Sequence, residues 1–217
     1  MSQIFVLVGQ SSLQTLEMVF FSTLFSLVLG FPVGVLLYIT NPTGISSRPV
    51  LNQILSRIVN VLRSFPFIIL MIVLFPLSRL MLGTSIGTEA TIIPLSIAAA
   101  PFVARVIESS LKEVEPGVIQ AARSMGSTNK QIIFKVLIPE ALPSIISGVT
   151  LTIINLIGYS AMAGTVGGGG LGDVAIRYGY QRYRVEYMLG SVAIILILVE
   201  VIQVIGTKLT NKMQNQR

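Results

Sequence analysis

Ser160 is the first residue to test for chemistry, because Gly158-Tyr-Ser-Ala-Met162 comes near the Gly-x-Ser-x-Gly elbow that presents a hydrolase nucleophile. Met162 stands where the last glycine is required, and the chain contains no histidine to activate the hydroxyl. The same absence removes His-ligated zinc and a histidine proton relay. With no cysteine there are no disulfides and no cysteine-held iron–sulfur clusters. Gly167, Gly169 and Gly172 fit Gly-x-Gly-x-x-Gly, but no strand precedes them and no acidic residue follows at the spacing a dinucleotide site needs. No Gly-x-x-x-x-Gly-Lys-[Ser/Thr] occurs, so no phosphate-binding loop for ATP is encoded. Glu17 and Glu200 border apolar runs and are the carboxylates an ion relay would use. What remains is a polar stretch, Val118-Ile-Gln-Ala-Ala-Arg-Ser-Met-Gly126 and on to Pro143, set between long apolar runs.

The elements that carry these residues are membrane helices. Of 217 residues, 53% are hydrophobic and 11% charged, far fewer charges than the roughly 25% of a soluble domain. Mean hydropathy is +0.82. Residues 18–47 and 141–172 carry no charge, and 64–78, 90–104 and 187–199 are shorter uncharged runs. A span needs roughly 20 apolar residues, which predicts an all-α protein with five spans, over about 13–39, 54–80, 91–110, 141–164 and 186–207. Residues 1–12 then form a short outer N-terminal segment, 111–140 a cytoplasmic loop, and 208–217 a cytoplasmic tail. The N-terminus lacks the basic residues and the apolar length of a cleavable signal peptide. With the N-terminus outside, ten Lys and Arg side chains fall on the cytoplasmic side, among them Arg123, Lys130, Lys135 and Arg217, against Arg79, Arg177, Arg182 and Arg184 outside. The net charge of +6 is spread over this topology and gives no nucleic-acid patch.

Gly30-Phe-Pro-Val-Gly34 has the spacing that admits a second helix at close range, with a bend expected at Pro32. Arg63-Ser-Phe-Pro-Phe67 predicts a kink in the second span, with Arg63 either lining a polar passage or, the preferred expectation, snorkelling to the cytoplasmic headgroups. Ala98-Ala-Ala-Pro101 is a further small-residue packing face. The glycines from Gly164 to Gly172 suggest a tight, mobile connection on the outer face. In the polar stretch, Glu115-Pro-Gly117 breaks one helix and starts another, which Gly126 caps in the left-handed conformation. Thr128 and Gln131 have capping-box spacing and begin a second short helix through Ile132, Ile133, Val136 and Leu137, which Pro139 and Pro143 stop. Such a helix pair either lies on the bilayer surface or forms a docking knob whose Arg123, Lys130 and Lys135 meet carboxylates.

Gln120-Ala-Ala-x-x-x-Gly126, continuing through Ile133 to Ile138-Pro139, resembles the EAA loop of the permease subunits of bacterial ABC importers. Gln120 replaces the loop's usual glutamate, keeping a hydrogen-bonding group and losing a charge. Over about residues 12–210 the chain is similar to the methionine-uptake members, through Arg63-Ser-Phe-Pro-Phe67, Ala100-Pro-Phe-Val-Ala-Arg105 and Gly158-Tyr-Ser-Ala-Met-Ala-Gly164 with Leu171-Gly172. The resemblance implies the small five-helix type I importer fold, with two short cytoplasmic coupling helices, in a bacterial inner membrane. It implies two permease chains, two cytoplasmic ATP-binding subunits that carry ATP and magnesium, and a periplasmic or lipid-anchored solute-binding protein delivering methionine. No cofactor or metal site and no catalytic residue is then expected on this chain. Gln120, Ala121, Ala122, Arg123 and Gly126 are the expected coupling residues; Tyr159, Ser160 and Met162, just before the outer glycine run, are the candidates for an outer gate, with ordinary helix packing the alternative for Tyr159 and Met162. A homodimer with the path on its axis suits so few helices. The alternatives are a permease for another small amino acid or, in a different class, an ion-coupled carrier or channel.

Overall fold

The computed structural model describes residues 2–215; Met1, Gln216 and Arg217, the last counted in the charge balance above, lie outside the described residues. All regular structure among the described residues is helical: α1 Ser2–Thr40, α2 Pro49–Ser64, α3 Phe67–Leu82, α4 Thr88–Lys112, α5 Pro116–Ser124, α6 Asn129–Gln131, α7 Ile138–Ala163, α8 Gly170–Asp173 and α9 Val185–Gln214. Wider π turns, Ile132–Leu137 and Val174–Tyr180, join α6 to α7 and follow α8. Four helical stretches are long and apolar enough to cross a membrane, and the bent pair α2–α3 makes a fifth span if counted as one.

α4 is the central post, buried along most of its length. α1 lies against it, and the glycine spacing explains how closely: a Cβ on Gly30 would stand 2.7 Å from Val103 Cβ, and one on Gly34 2.6 Å from both the Ala104 carbonyl oxygen and Ile107 Cβ. Between membrane helices, close van der Waals packing of small residues does the work that the hydrophobic effect does in water. Pro32 sits inside α1 without ending it. Around the first half of α4, Met18, Val19, Ile92, Leu95, Ala99, Leu156 and Ile157 form one core of α1, α4 and α7. Around its second half, beside the polar loop, Val103, Ile107, Leu111, Val114, Leu137, Ala141 and Ile145 form a second, named the inner core below. α9 crosses α7 where Gly206 meets Thr150; Ile195, Leu198, Val199 and Ile202 pack against the α1/α4/α7 core, while Leu189, Leu196, Ile197 and Ile205 on its other side stay exposed.

Three expectations change. The first helix begins at Ser2 rather than near residue 13, because Ile4, Leu7 and Val8 find a core of their own with Leu171, Val174 and Tyr187. The span expected over 54–80 is two helices meeting at 103° around Phe65-Pro66, a break rather than a kink. Pro139 and Pro143 do not stop the chain: it stays helical from Asn129 to Val166, and the π turn, with the Ile138 N–H donating to the Ile133 carbonyl, absorbs the irregularity just before Pro139.

The glycine run is tightly packed against α1. Gly168, Gly170, Leu171 and Gly172 are buried, and Gly167, Gly169 and Gly170 have φ of +90°, +77° and +76°, which side-chain-bearing residues rarely adopt. The Gly170 N–H donates to Gln14 Oε1 at 3.0 Å and the Leu171 N–H to Thr15 Oγ1 at 2.9 Å, so α1 side chains satisfy the loop's backbone.

Candidate functional site

The polar loop is built from α5 outward. Glu115 at the N-cap has an extended backbone, and Pro116 follows in the first turn, where its missing N–H has no helical partner to lose. At the other end the Gly126 N–H donates to the Arg123 carbonyl at 2.9 Å and the Ser127 N–H to the Ala122 carbonyl at 3.1 Å, with Gly126 at φ +78°. This is a Schellman closure, and it confirms the left-handed cap. The capping box also forms: Gln131 N–H donates to Thr128 Oγ1 and Thr128 N–H to Gln131 Oε1 at 2.8 Å.

These two ends present a distinct face. Ala122 is buried and Val118 and Ile119 are half-buried, whereas Gly117, Gln120, Ala121 and Ser124, one helical turn apart in sequence, are all exposed. The outward face is therefore smooth, made of small or uncharged side chains. Met125 (85% exposed) and Phe134 (68%) project beside it as the large apolar residues of the loop. Ile119 of α5 and Ile138 pack against the inner core, as do Leu27, Phe31, Val35 and Tyr38 of α1. Arg123 donates from Nη2 to the Ile45 carbonyl at 3.2 Å, tying α5 to the α1–α2 turn rather than to a carboxylate. Between them lies a cleft of about 360 Å³ lined by Tyr38, Asn41, Lys112, Ile119 and Gln120.

Above this loop, Glu108 of α4 is 4% exposed and holds two cations, Arg105 Nη1 and Lys112 Nζ, each at 2.6 Å. Arg105 reaches on to Asn60 Oδ1 at 2.8 Å and the Ser56 carbonyl at 3.1 Å. The buried carboxylate thus fixes the arginine that clamps α2 to α4.

The three gate candidates occupy different surroundings. Ser160 is 1% exposed, and its hydroxyl donates to the Ile157 carbonyl at 2.8 Å, a back-bond that occupies its proton. Tyr159 stacks on Phe67 of α3, ring centroids 4.4 Å apart and planes 6° from parallel. Met162 is 46% exposed on the uncovered side of α7 that also carries Leu151, Asn155 and Gly158. Arg63 is exposed, and its guanidinium lies 6.0 Å over the Phe102 ring.

The family model for binding-protein-dependent transport system inner membrane components matches residues 30–213, most of the chain and all of this loop. The chain belongs to this family. It is a transport permease and not an enzyme. It is 51% identical over 203 residues to the probable D-methionine transport system permease protein MetI of Vibrio cholerae, covering 94% of this chain and 90% of that one. It is 46% identical over 214 residues to the protein of the same name from Pasteurella multocida, covering 99% of each. Among solved structures, a chain of the inward-facing MetNI methionine ABC transporter superposes with a TM-score of 0.96 at 45% identity, covering 98% of this chain and 99% of that one. An amino acid ABC transporter with histidines shares the fold at a TM-score of 0.75 and 21% identity, covering 100% of this chain and 97% of that one.

Within this permease the sequence reading missed Met125, Phe134 and Glu108. Phe134 had a signal, since it falls on the side of a helix opposite the buried Ile132, two residues earlier. Glu108 had one too, in the Arg105-x-x-Glu108-x-x-x-Lys112 spacing of neighbours on one helix face.

Proposed function

We propose that the chain is the membrane subunit of an ATP-driven methionine importer, working as a two-fold pair with two ATP-binding subunits at the α5 face and a solute-binding protein at the opposite end. The observation that carries the coupling role is the smooth exposed face of Gly117, Gln120, Ala121 and Ser124, flanked by Met125 and Phe134 and joined through Ile119 to the inner core. A small-residue helix fits into a partner's groove, and the two apolar side chains supply anchors there. ATP and magnesium belong to the partner, since this sequence has no phosphate-binding loop. Gln120, Ala121, Ala122, Arg123 and Gly126 form the coupling element: Gln120 and Ala121 touch the partner, while Ala122, Arg123 and Gly126 hold α5 in place. Closure of the ATP-binding subunits moves α5 and, with it, the inner halves of α1, α4 and α7, alternating the path between its two sides. Of the gate candidates, Tyr159 and Met162 line the path and Ser160 packs behind them, a reading supported by the exposure of Met162 and the burial of Ser160.

The balance of basic residues supports a cytoplasmic α5 face, an outer N-terminus, a cytoplasmic C-terminus and an inner-membrane location. The methionine assignment rests on the names of the relatives, which point to the D enantiomer as a substrate to test alongside the L form. The test is uptake into proteoliposomes carrying this permease and its ATP-binding subunit. With binding protein outside and ATP inside, labelled methionine accumulates, and collapse of the ion gradients leaves accumulation intact. Accumulation that follows an imposed ion gradient without ATP would instead identify a carrier.

A further inference from the structure

A cavity of about 260 Å³ opens where α2 breaks from α3, walled by Arg63, Phe67, Leu70, Ala98, Phe102 and Tyr159. Its residues are not those that the loop and the clamp require, because α2 is already fastened to α4 by Arg105, through Asn60 and Ser56. Phe102 lies ten residues before Lys112, the inner end of α4, so the guanidinium above it sits about 15 Å along the helix from that end. That is about half the ~30 Å apolar thickness of a bilayer. Arg63 has no ion-pair partner among the described residues. A permanent cation at that depth calls for an anion or a polar passage; Arg63 is exposed at the cavity, with the Phe102 ring beside its guanidinium.

The break adds polarity of matching sense. The first N–H of α3 to find a helical acceptor is that of Leu70, on the Pro66 carbonyl at 3.0 Å, which leaves the preceding amides at the cavity edge without one. Discontinuous membrane helices use such ends to receive charged groups of a solute. Tyr159 and Phe67 form a flat stacked wall of the cavity, and Leu70 and Ala98 continue it as apolar surface. One end of the cavity is thus suited to a carboxylate and the other to an apolar, polarisable side chain, which sulfur–aromatic contact favours.

We propose that this cavity is a binding site within the membrane for the transported amino acid, with Arg63 taking the α-carboxylate and the Phe67, Phe102 and Tyr159 rings taking the side chain. This rests on the importer reading above. Arg63 supplies a charge-assisted hydrogen bond that an ester or amide of the amino acid cannot match. The rings admit methionine and its straight-chain isostere norleucine and disfavour acidic amino acids.

The test is equilibrium binding of radiolabelled methionine to the permease with its ATP-binding subunit in nanodiscs, without binding protein, in neutral lipid and again with anionic lipid. Saturable binding is expected, displaced by norleucine and not by methionine methyl ester. Arg63→Gln should weaken it by about 10- to 100-fold, the range for a hydrogen bond to a charged group. Arg63→Lys should lie between, and Tyr159→Ala should weaken binding in a complex whose assembly is checked by gel filtration. Unchanged affinity in Arg63→Gln, or displacement by the methyl ester as good as by methionine, overturns the site. So does an Arg63→Gln effect seen only with anionic lipid, which marks a headgroup anchor. If methionine is taken up with binding protein present yet none binds without it, the site is wrong and the importer reading stands. If no methionine is taken up at all, the importer reading itself has failed.

Discussion

The Ser127 N–H donates to the carbonyl of Ala122 at 3.1 Å, and this bond closes α5 around Gly126. Gly126 holds φ at +78° with open space where a Cβ would be, so the backbone rather than packing demands glycine. A valine there costs about 1–2 kcal/mol in the left-handed region, whereas asparagine tolerates it. Gly126→Val should therefore tilt α5 and reduce substrate-stimulated ATP hydrolysis and uptake, with Gly126→Asn close to wild type. Equal activity of the two variants in proteoliposomes would show that the cap does not position the loop.

Ala121 and Ala122 are adjacent and read alike in sequence, but Ala121 is exposed and Ala122 buried. Ala122→Glu would place a charge among Val118, Ile119 and the inner core, and so disturbs folding as well as coupling. Ala121→Glu is the cleaner probe: the isolated permease should keep its melting temperature, while association with the ATP-binding subunit weakens. Pull-down of the subunit at wild-type strength by Ala121→Glu would remove Ala121 from the docking face.

The spans and both caps of the loop were readable because each rests on local signals: charge gaps, a glycine after a short helix, a threonine three residues before a glutamine. The break at Phe65-Pro66 was half readable, since proline marks an interruption but not its angle of 103°. The packing of the glycine run was not readable because a long-range partner fixes it; nothing near Gly170 in sequence announces Gln14 and Thr15, 156 residues earlier. The gate triad was chosen by sequence proximity, yet successive helical residues point about 100° apart, so Tyr159, Ser160 and Met162 meet a ring, the core and an open face in turn.

Gly34 tests the central helix pair. Its missing Cβ would lie 2.6 Å from the Ala104 carbonyl oxygen and from Ile107 Cβ, which are backbone and branch-point atoms that cannot swing aside. Gly34→Leu must separate α1 from α4, at a cost of about 1–3 kcal/mol or more for overpacking. For a chain of this size that corresponds to a fall of several degrees in melting temperature, at roughly 2–4 °C per kcal/mol. Gly9→Leu, on the same helix with open space around it, serves as the control and should melt with the wild type. If both variants melt alike, the close approach of α1 and α4 is not what stabilises the pair.

Thr15 tests whether the glycine run is held or free. Its hydroxyl accepts the N–H of Leu171, which is fully buried, and among the described residues no other acceptor is paired with that amide. Thr15→Val keeps the shape of the side chain and removes only the acceptor, leaving a buried donor unsatisfied at a cost of about 1–3 kcal/mol. Thr15→Ser restores the oxygen and should recover most of the loss. Hydrogen exchange on the full transporter should show the peptide containing Gly170 and Leu171 opening faster in Thr15→Val than in wild type or Thr15→Ser. The same peptide exchanging fast in the wild type would mean that the run moves freely and that α1 does not clamp it. A clamp predicts more than local protection: α8 and the following π turn pack through Leu171 and Val174 onto Val8 and Tyr187, so loosening at Leu171 should also release the outer ends of α1 and α9. Faster exchange in those two ends, with the α5 region unchanged, is the expected pattern.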